Sequence, residues 1–167
     1  MATKALVSVE EYLRTSFPDL DREYRDGEIV ERTLPDLKHS RAQKRLGAIF
    51  DQFEARQISL FACTELRLRV ADRRVLIPDV CVFSPTLPTE SCPSTPPFIA
   101  IEIASPDDTL TEIREKLEEY RQWGVPHVWL VDPHSRRLYV CTAGLSEVAA
   151  FRLPEFEIEI TPSQIFE

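Results

Sequence analysis

Residues 98–132 read FIAIEIASPDDTLTEIREKLEEYRQWGVPHVWLVD. The segment opens on an apolar run of strand length, 98–104, and ends on HVWLVD (127–132), continuously apolar as expected of a strand covered on both faces. Between them Leu110, Ile113, Leu117 and Tyr120 recur at helical spacing over 109–123, and Gly124 with Pro126 supplies the stop. Strand, helix and strand in this order form a crossover unit within one sheet. One residue interrupts the first strand. Because strand side chains alternate, Phe98, Ala100, Glu102 and Ala104 share one face and Ile99, Ile101 and Ile103 the other. The isoleucines read as core. Glu102 lies between two alanines, which leaves space for something larger than a side chain.

Upstream, VLIPDVCVF (75–83) is a second interrupted apolar run, with Asp79 directly after Pro78. Proline removes a ladder donor and marks an edge, bulge or irregularity. ISLFACTELRLRV (58–70) reads as another strand, turned by residues 71–74 into the next. The segment 84–97 holds five prolines in fourteen residues and reads as an irregular loop rather than a domain linker. LKHSRAQKRLGAIFDQFEARQ (37–57) carries apolar residues at 42, 46, 49, 50 and 53, one face of an amphipathic helix. Asp26-Gly27 between extended arms signals a hairpin, and Ser8 with Glu11 has capping-box spacing at the head of a short helix over 8–17. The order helix, three strands, helix, strand gives an α/β sandwich with a mixed central sheet.

At 167 residues, 43% hydrophobic and 29% charged, the chain is most simply one soluble domain, 1–167. No run approaches the roughly 18 apolar residues of a spanning helix, and the N-terminus lacks a signal peptide's apolar stretch, so a cytoplasmic protein without membrane contact is expected. The four cysteines form no CxxC pair, which opposes structural zinc and fits reduced thiols. A net charge of −8 opposes broad non-specific nucleic-acid binding unless a local basic face exists. Candidates for such a face are Lys38, Arg41 and Arg45 on the first core helix, and Arg67, Arg69, Arg73 and Arg74 around the strand turn.

If their strands are neighbours, Asp79 and Glu102 converge on one site. Two close carboxylates repel, so one protonates unless a cation neutralises them. A hard divalent cation with oxygen ligands is the natural solution, and magnesium suits a site of few carboxylates plus waters.

The chain resembles the PD-(D/E)xK nuclease superfamily and, more narrowly, the bacterial Uma2 family of restriction-type endonucleases. The matching residues are EYRDGEIV (23–30), His39 opening a helix, IPDVCVF (77–83), IEIASPDD (101–108) and EKLEEYRQWGVPHVWLVDP (115–133). The resemblance covers the chain from about Val9 to about Val140. The resemblance implies a restriction-endonuclease-like αβββαβ core with the N-terminal helix and hairpin appended. It also implies a DNA substrate, a magnesium or manganese cofactor held by Asp79 and Glu102, and a catalytic set of Asp79, Glu102, Lys116, Glu23 and His39. One departure stands out. The superfamily lysine belongs two residues after the glutamate, where this chain has Ala104, and the family resemblance moves it to Lys116 on the following helix.

Geometry permits that displacement. The strand advances about 3.3 Å per residue beyond Glu102, and the helix returns at about 1.5 Å per residue, so Lys116 comes back near the level of Glu102. Lys116 would then steady the nucleophile or the developing negative charge. The alternative partners for Lys116 are its helix neighbours Glu112, Glu115 and Glu119. Glu23 has the alternative of a hairpin surface charge, and His39 that of a helix cap.

The leading expectation is a metal-dependent DNA endonuclease, with a homodimer placing two sites on two strands. The alternative is a non-catalytic nucleic-acid- or protein-binding module on the same fold. A small-molecule metallohydrolase is disfavoured because no histidine cluster accompanies the carboxylates. Phe151, Phe156, Ile158, Ile160, Ile165 and Phe166 are candidates for apolar self-association.

Overall fold

A computed structural model describes residues 6–167, so the first five residues of the N-terminal stretch lie outside the described residues. Helix α1 (Val9–Arg14) precedes a hairpin of β1 (Glu23–Arg25) and β2 (Glu28–Val30). Its turn residues Asp26 and Gly27 have φ of 51° and 99°, as a two-residue hairpin turn requires. Helix α2 (Leu37–Ala55) leads into β3 (Phe61–Thr64), β4 (Leu68–Ala71), β5 (Arg74–Leu76), β6 (Val80–Phe83) and β7 (Ile99–Ile103). The crossover helix α3 (Leu110–Trp123) joins β7 to β8 (His127–Asp132), followed by β9 (Arg137–Cys141), β10 (Leu145–Val148), β11 (Phe151–Leu153), β12 (Ile158–Ile160) and α4 (Pro162–Phe166).

The central sheet runs β10-β9-β8-β7-β6-β3. Strands β7 and β8 are parallel, and the other neighbours antiparallel. The proline-rich segment is therefore a loop between adjacent strands of one sheet. Helix α2 packs on the face carrying Ile99, Ile101 and Ile103, with Leu46, Ile49 and Phe50 in the same core. Helix α3 covers the other face, where Leu117 and Tyr120 meet Ala100, Val128 and Leu130. Glu102 points toward α3, where Lys116 and Tyr120 meet it.

Two predicted strands are each divided between sheets. The stretch 58–70 breaks at Glu65 (φ 52°) into β3 and β4, and 75–83 breaks at Pro78-Asp79 into β5 and β6. Halves β4 and β5 join the N-terminal hairpin in a sheet ordered β2-β1-β5-β4, while β3 and β6 stay in the central sheet. The physical reason is local. A residue in left-handed backbone and a proline without a ladder donor sit opposite one another, and the Glu65 N–H donates to the Asp79 carbonyl across the break (3.3 Å).

The C-terminal apolar residues cover their own sheet. Phe151, Ile160 and Ile165 are buried in the α2-side core, Phe156, Ile158 and Phe166 pack against it, and Phe151 stacks on Trp129 with centroids 4.2 Å apart. Phe151, Ile160 and Ile165 are thereby taken up by the chain's own core. Cys63 and Cys81 lie opposite each other in the β3–β6 ladder as free thiols. Among the described residues no helix is long and apolar enough to cross a membrane.

Helix α3 starts on a reciprocal capping box between Thr109 and Glu112 and stops at Gly124, whose φ is 103°. A side chain is strained in that backbone although space for a Cβ exists beside Pro96. Gly124→Ala is expected to lower the unfolding free energy by about 1 kcal/mol, read by urea denaturation.

Candidate active site

The break between the two sheets is where the predicted acids meet. Glu23 comes from β1, Asp79 from the β5–β6 junction, Glu102 from β7, Lys116 from α3 and His39 from the first turn of α2. All five line one pocket of about 150 Å³, together with Arg32, Glu65, Asp108 and the rim of the N-terminal hairpin.

Lys116 is the hub. Its Nζ lies 2.7 Å from Glu23 Oε1, 3.0 and 3.1 Å from the two oxygens of Glu102, and 2.9 Å from the Ile77 carbonyl. An ammonium has three donors, and here three partners stand within reach. Lys116 thus stands level with Glu102, and two of the alternative partners on α3 are engaged elsewhere: Arg74 takes Glu119 and Thr109 takes Glu112. The space between the two alanines of β7 is filled by side chains of α3. Tyr120 donates its hydroxyl to Glu102 Oε1 at 2.9 Å.

Burial sets the electrostatics. Glu102 is pushed up to about 7 by its burial, which Lys116 only partly offsets and the nearby Asp79 and Glu23 reinforce. Glu23 is only 3% exposed, so it is no hairpin surface charge. Burial alone would raise its carboxyl, but Lys116, the Ile77 N–H at 3.0 Å and Arg25 hold it below the usual value. Burial likewise pulls Lys116 down, and the carboxylates more than compensate, leaving the ammonium firmly protonated.

Asp79 is held from three sides. Its Oδ2 accepts from the Ile103 N–H at 2.7 Å and lies 3.3 Å from His39 Nε2, while Oδ1 accepts from Arg32 at 3.1 Å. Burial acts to raise this carboxyl, but His39, Lys116 and Arg32 keep it low. The Ile103 contact ties Asp79 to the residue after Glu102, which fixes the two acids relative to one another. His39 owes its position to Asp36, whose side chain caps α2 by accepting the His39 N–H at 2.8 Å, and the imidazole is buried. Burial disfavours its protonation, yet the Asp79 carboxylate raises its pKa overall.

Sequence reading missed Arg32, Gln43 and Tyr120. Gln43 donates to the Asp79 carbonyl (3.0 Å) and to Glu65 (3.3 Å), bracing the sheet break. Tyr120 had a signal: it stands one turn beyond Lys116, and a buried phenol needs a partner. Arg32 had none, since nothing in its neighbourhood shows that the hairpin exit folds over β6.

Two of the four arginines of the strand turn are taken by carboxylates. Arg67 is bound bidentately by Asp21 (2.6 and 2.7 Å) over the Tyr12 ring, Arg74 by Glu119, and Arg69 and Arg73 donate to backbone carbonyls. Lys38, Arg41 and Arg45 do share a surface on α2, joined there by His134 and Arg136.

Comparison with known proteins then places the chain. The sequence matches the family described as "Putative restriction endonuclease", Uma2, over residues 9–166. The chain belongs to the Uma2 family. Its fold is similar to a solved structure described as "a putative nuclease belonging to DUF820" from Anabaena variabilis, at 23% identity, with 96% of this chain and 97% of that chain covered and a TM-score of 0.80. That likeness supports the mixed-sheet nuclease-like fold. No curated protein matches the sequence.

Restriction-endonuclease-like proteins generally use divalent metals, and the Uma2 pocket can be tested for fit. Among the described residues no group of three or more His, Cys, Asp and Glu side chains is arranged to hold a metal ion. The donors that do converge, Asp79 and Glu102, are oxygen-only, which suits magnesium or manganese completed by waters rather than a softer ion. Glu102, pushed up to about 7 by burial, would be favoured in its ionised form by a cation bound beside it. The donor chemistry of Asp79 and Glu102 suits a hard divalent cation.

Proposed function

We propose that this Uma2 protein is a metal-dependent endonuclease that hydrolyses DNA phosphodiester bonds, folded as one nuclease-like domain over 1–167 and acting in the cytoplasm. The observation that carries the reading is the convergence of Asp79, Glu102, Glu23 and Lys116 on one pocket. A buried glutamate with a strongly perturbed carboxyl beside a specific charge partner, in an open pocket, supports a functional site.

Asp79 and Glu102 would hold the cation. A bound magnesium or manganese would supply Lewis-acid polarisation of the phosphate and an acidified water. Lys116 acts as a positioning residue, because Glu23, Glu102 and the Ile77 carbonyl engage its donors and fix the orientation of the Glu102 carboxylate. Glu23 in turn holds Lys116 charged. His39 and the Ile103 N–H orient Asp79. Lys38, Arg41 and Arg45, on the helix that presents His39, supply phosphate contacts that position a duplex without reading its sequence. Cutting both strands in one encounter calls for two such sites, hence a homodimer.

The deciding experiment is calorimetric titration of Mg²⁺ and Mn²⁺ into wild type and Glu102→Ala, alone and with a DNA duplex, followed by a cleavage assay with the same duplex. Saturable binding in the wild type, lost in the variant, together with metal-dependent cleavage is the expected result. Silence of the wild type in both titrations moves the assignment to a non-catalytic binding module on this fold.

A further inference from the structure

We infer that Arg32 is a built-in competitor for the divalent cation at Asp79, with Glu65 as the partner it moves to when the cation binds. The inference rests on the metal-dependent reading of the site above. Arg32 lies just beyond β2, and its side chain is only 10% exposed. Its Nη2 donates to Asp79 Oδ1 at 3.1 Å. The other Asp79 oxygen already accepts from the Ile103 N–H and faces His39. Oδ1 is thus the oxygen left to meet a cation, and a guanidinium occupies it. Two cations cannot share that position without strong mutual repulsion in a low-dielectric pocket.

The same side chain is incompletely bound. Arg32 Nη1 is buried without a hydrogen-bond partner and lies 3.7 Å from Glu65 Oε2, inside ion-pair range but beyond a hydrogen bond. A buried guanidinium N–H without an acceptor is unfavourable, which favours movement of Nη1 toward a nearby acceptor. Glu65 offers one. Its side chain is one-third exposed at the pocket rim, and Gln43 holds its other oxygen at 3.3 Å, leaving Oε2 toward Arg32. A rotation of the arginine side chain, with no change of backbone, transfers it from Asp79 to Glu65. In the metal-free protein Arg32 therefore stabilises Asp79 and raises the cation concentration needed to load the site.

The test is Mn²⁺ titration, by calorimetry and by electron paramagnetic resonance of the free ion. The proteins compared are wild type, Arg32→Gln, Glu65→Gln and the double variant, each checked for fold by circular dichroism. Glutamine keeps a donor for Asp79 while removing the charge. Arg32→Gln is expected to bind Mn²⁺ about tenfold more tightly than wild type, and Glu65→Gln several-fold more weakly. In the double variant the Glu65 effect shrinks, because the arginine it would receive is gone. Unchanged or weakened binding in a folded Arg32→Gln, with binding intact in the wild type, overturns the inference and leaves the nuclease reading standing. If neither wild type nor Arg32→Gln binds Mn²⁺, with or without a duplex, both fall together. Should Arg32→Gln not fold, Glu65→Gln decides alone: weaker binding supports the inference and unchanged binding overturns it.

Discussion

Lys116→Met is expected to unfold about 10 °C below wild type. Methionine approximates the length of the lysine stem and removes only its charge and donors. Left behind are Glu23, with Oε1 2.7 Å from the lost ammonium, and Glu102, both buried, together with an unmatched Ile77 carbonyl. Removing one partner of a buried ion pair costs about 3–5 kcal/mol, because the surviving charge stays desolvated. For a chain of this size each kcal/mol moves the midpoint by about 2–4 °C. Scanning calorimetry at pH 8 gives the reading. The loss should be smaller at pH 5, where protonation of the abandoned carboxylates is easier. Adding Glu23→Gln and Glu102→Gln to Lys116→Met should recover much of the stability, since neutral amides can share hydrogen bonds without an ammonium. A midpoint within a degree or two of wild type would mean that the lysine does not bind the acids together.

Glu102→Gln is expected to separate activity from stability. As a proposed metal ligand, Glu102 should be needed for cleavage, and its loss should lower the rate at least about 100-fold. Stability in EDTA should move the other way as pH rises. The folded carboxyl titrates at about 7 against a reference value of 4.5. Between those pH values the unfolded chain has released this proton and the folded chain retains it. Folding therefore takes up a proton, and its contribution to stability falls as pH rises toward 7. A tenfold difference in proton affinity between the two states is worth about 1.4 kcal/mol, so the wild type should lose about 2–3 kcal/mol relative to Glu102→Gln between about pH 4.5 and pH 8. His39 and Asp79 are common to both proteins, so the difference reads Glu102 together with its coulombic effect on His39. Parallel pH profiles of the two proteins would refute a raised Glu102 carboxyl.

These expectations depend on side chains of which some were visible in the sequence and some were not. Asp79 and Glu102 stood out because each breaks an apolar strand, where an unpaired charge is costly. Lys116 became a candidate through the family resemblance, two rises per residue that almost cancel permitted it, and its 3.0 Å contact with Glu102 agrees with that arithmetic. Glu23 and His39 carried no such signal of their own. A glutamate beside a hairpin and a histidine near a helix start have ordinary surface explanations, and only the resemblance to the family singled them out. The arginines around the strand turn resemble a basic face in sequence; in space Asp21 and Glu119 take two of them, and Arg69 and Arg73 donate to backbone carbonyls.

The sequence by itself determined the elements and the alternation of faces: period two put Glu102 opposite three isoleucines, and period 3.6 put Lys116 and Tyr120 on neighbouring turns of one helix. Those are properties of local backbone geometry, readable without knowing what lies nearby. Only the tertiary structure decided that two continuous-looking strands divide between sheets at Glu65 and Pro78, and that this break opens the pocket. It alone brought Arg32 onto Asp79, a partner 47 residues away in the chain. Such pairings depend on how sheets stack and which buried charge lacks a counterion, and these are settled by the balance of desolvation and attraction in the assembled molecule.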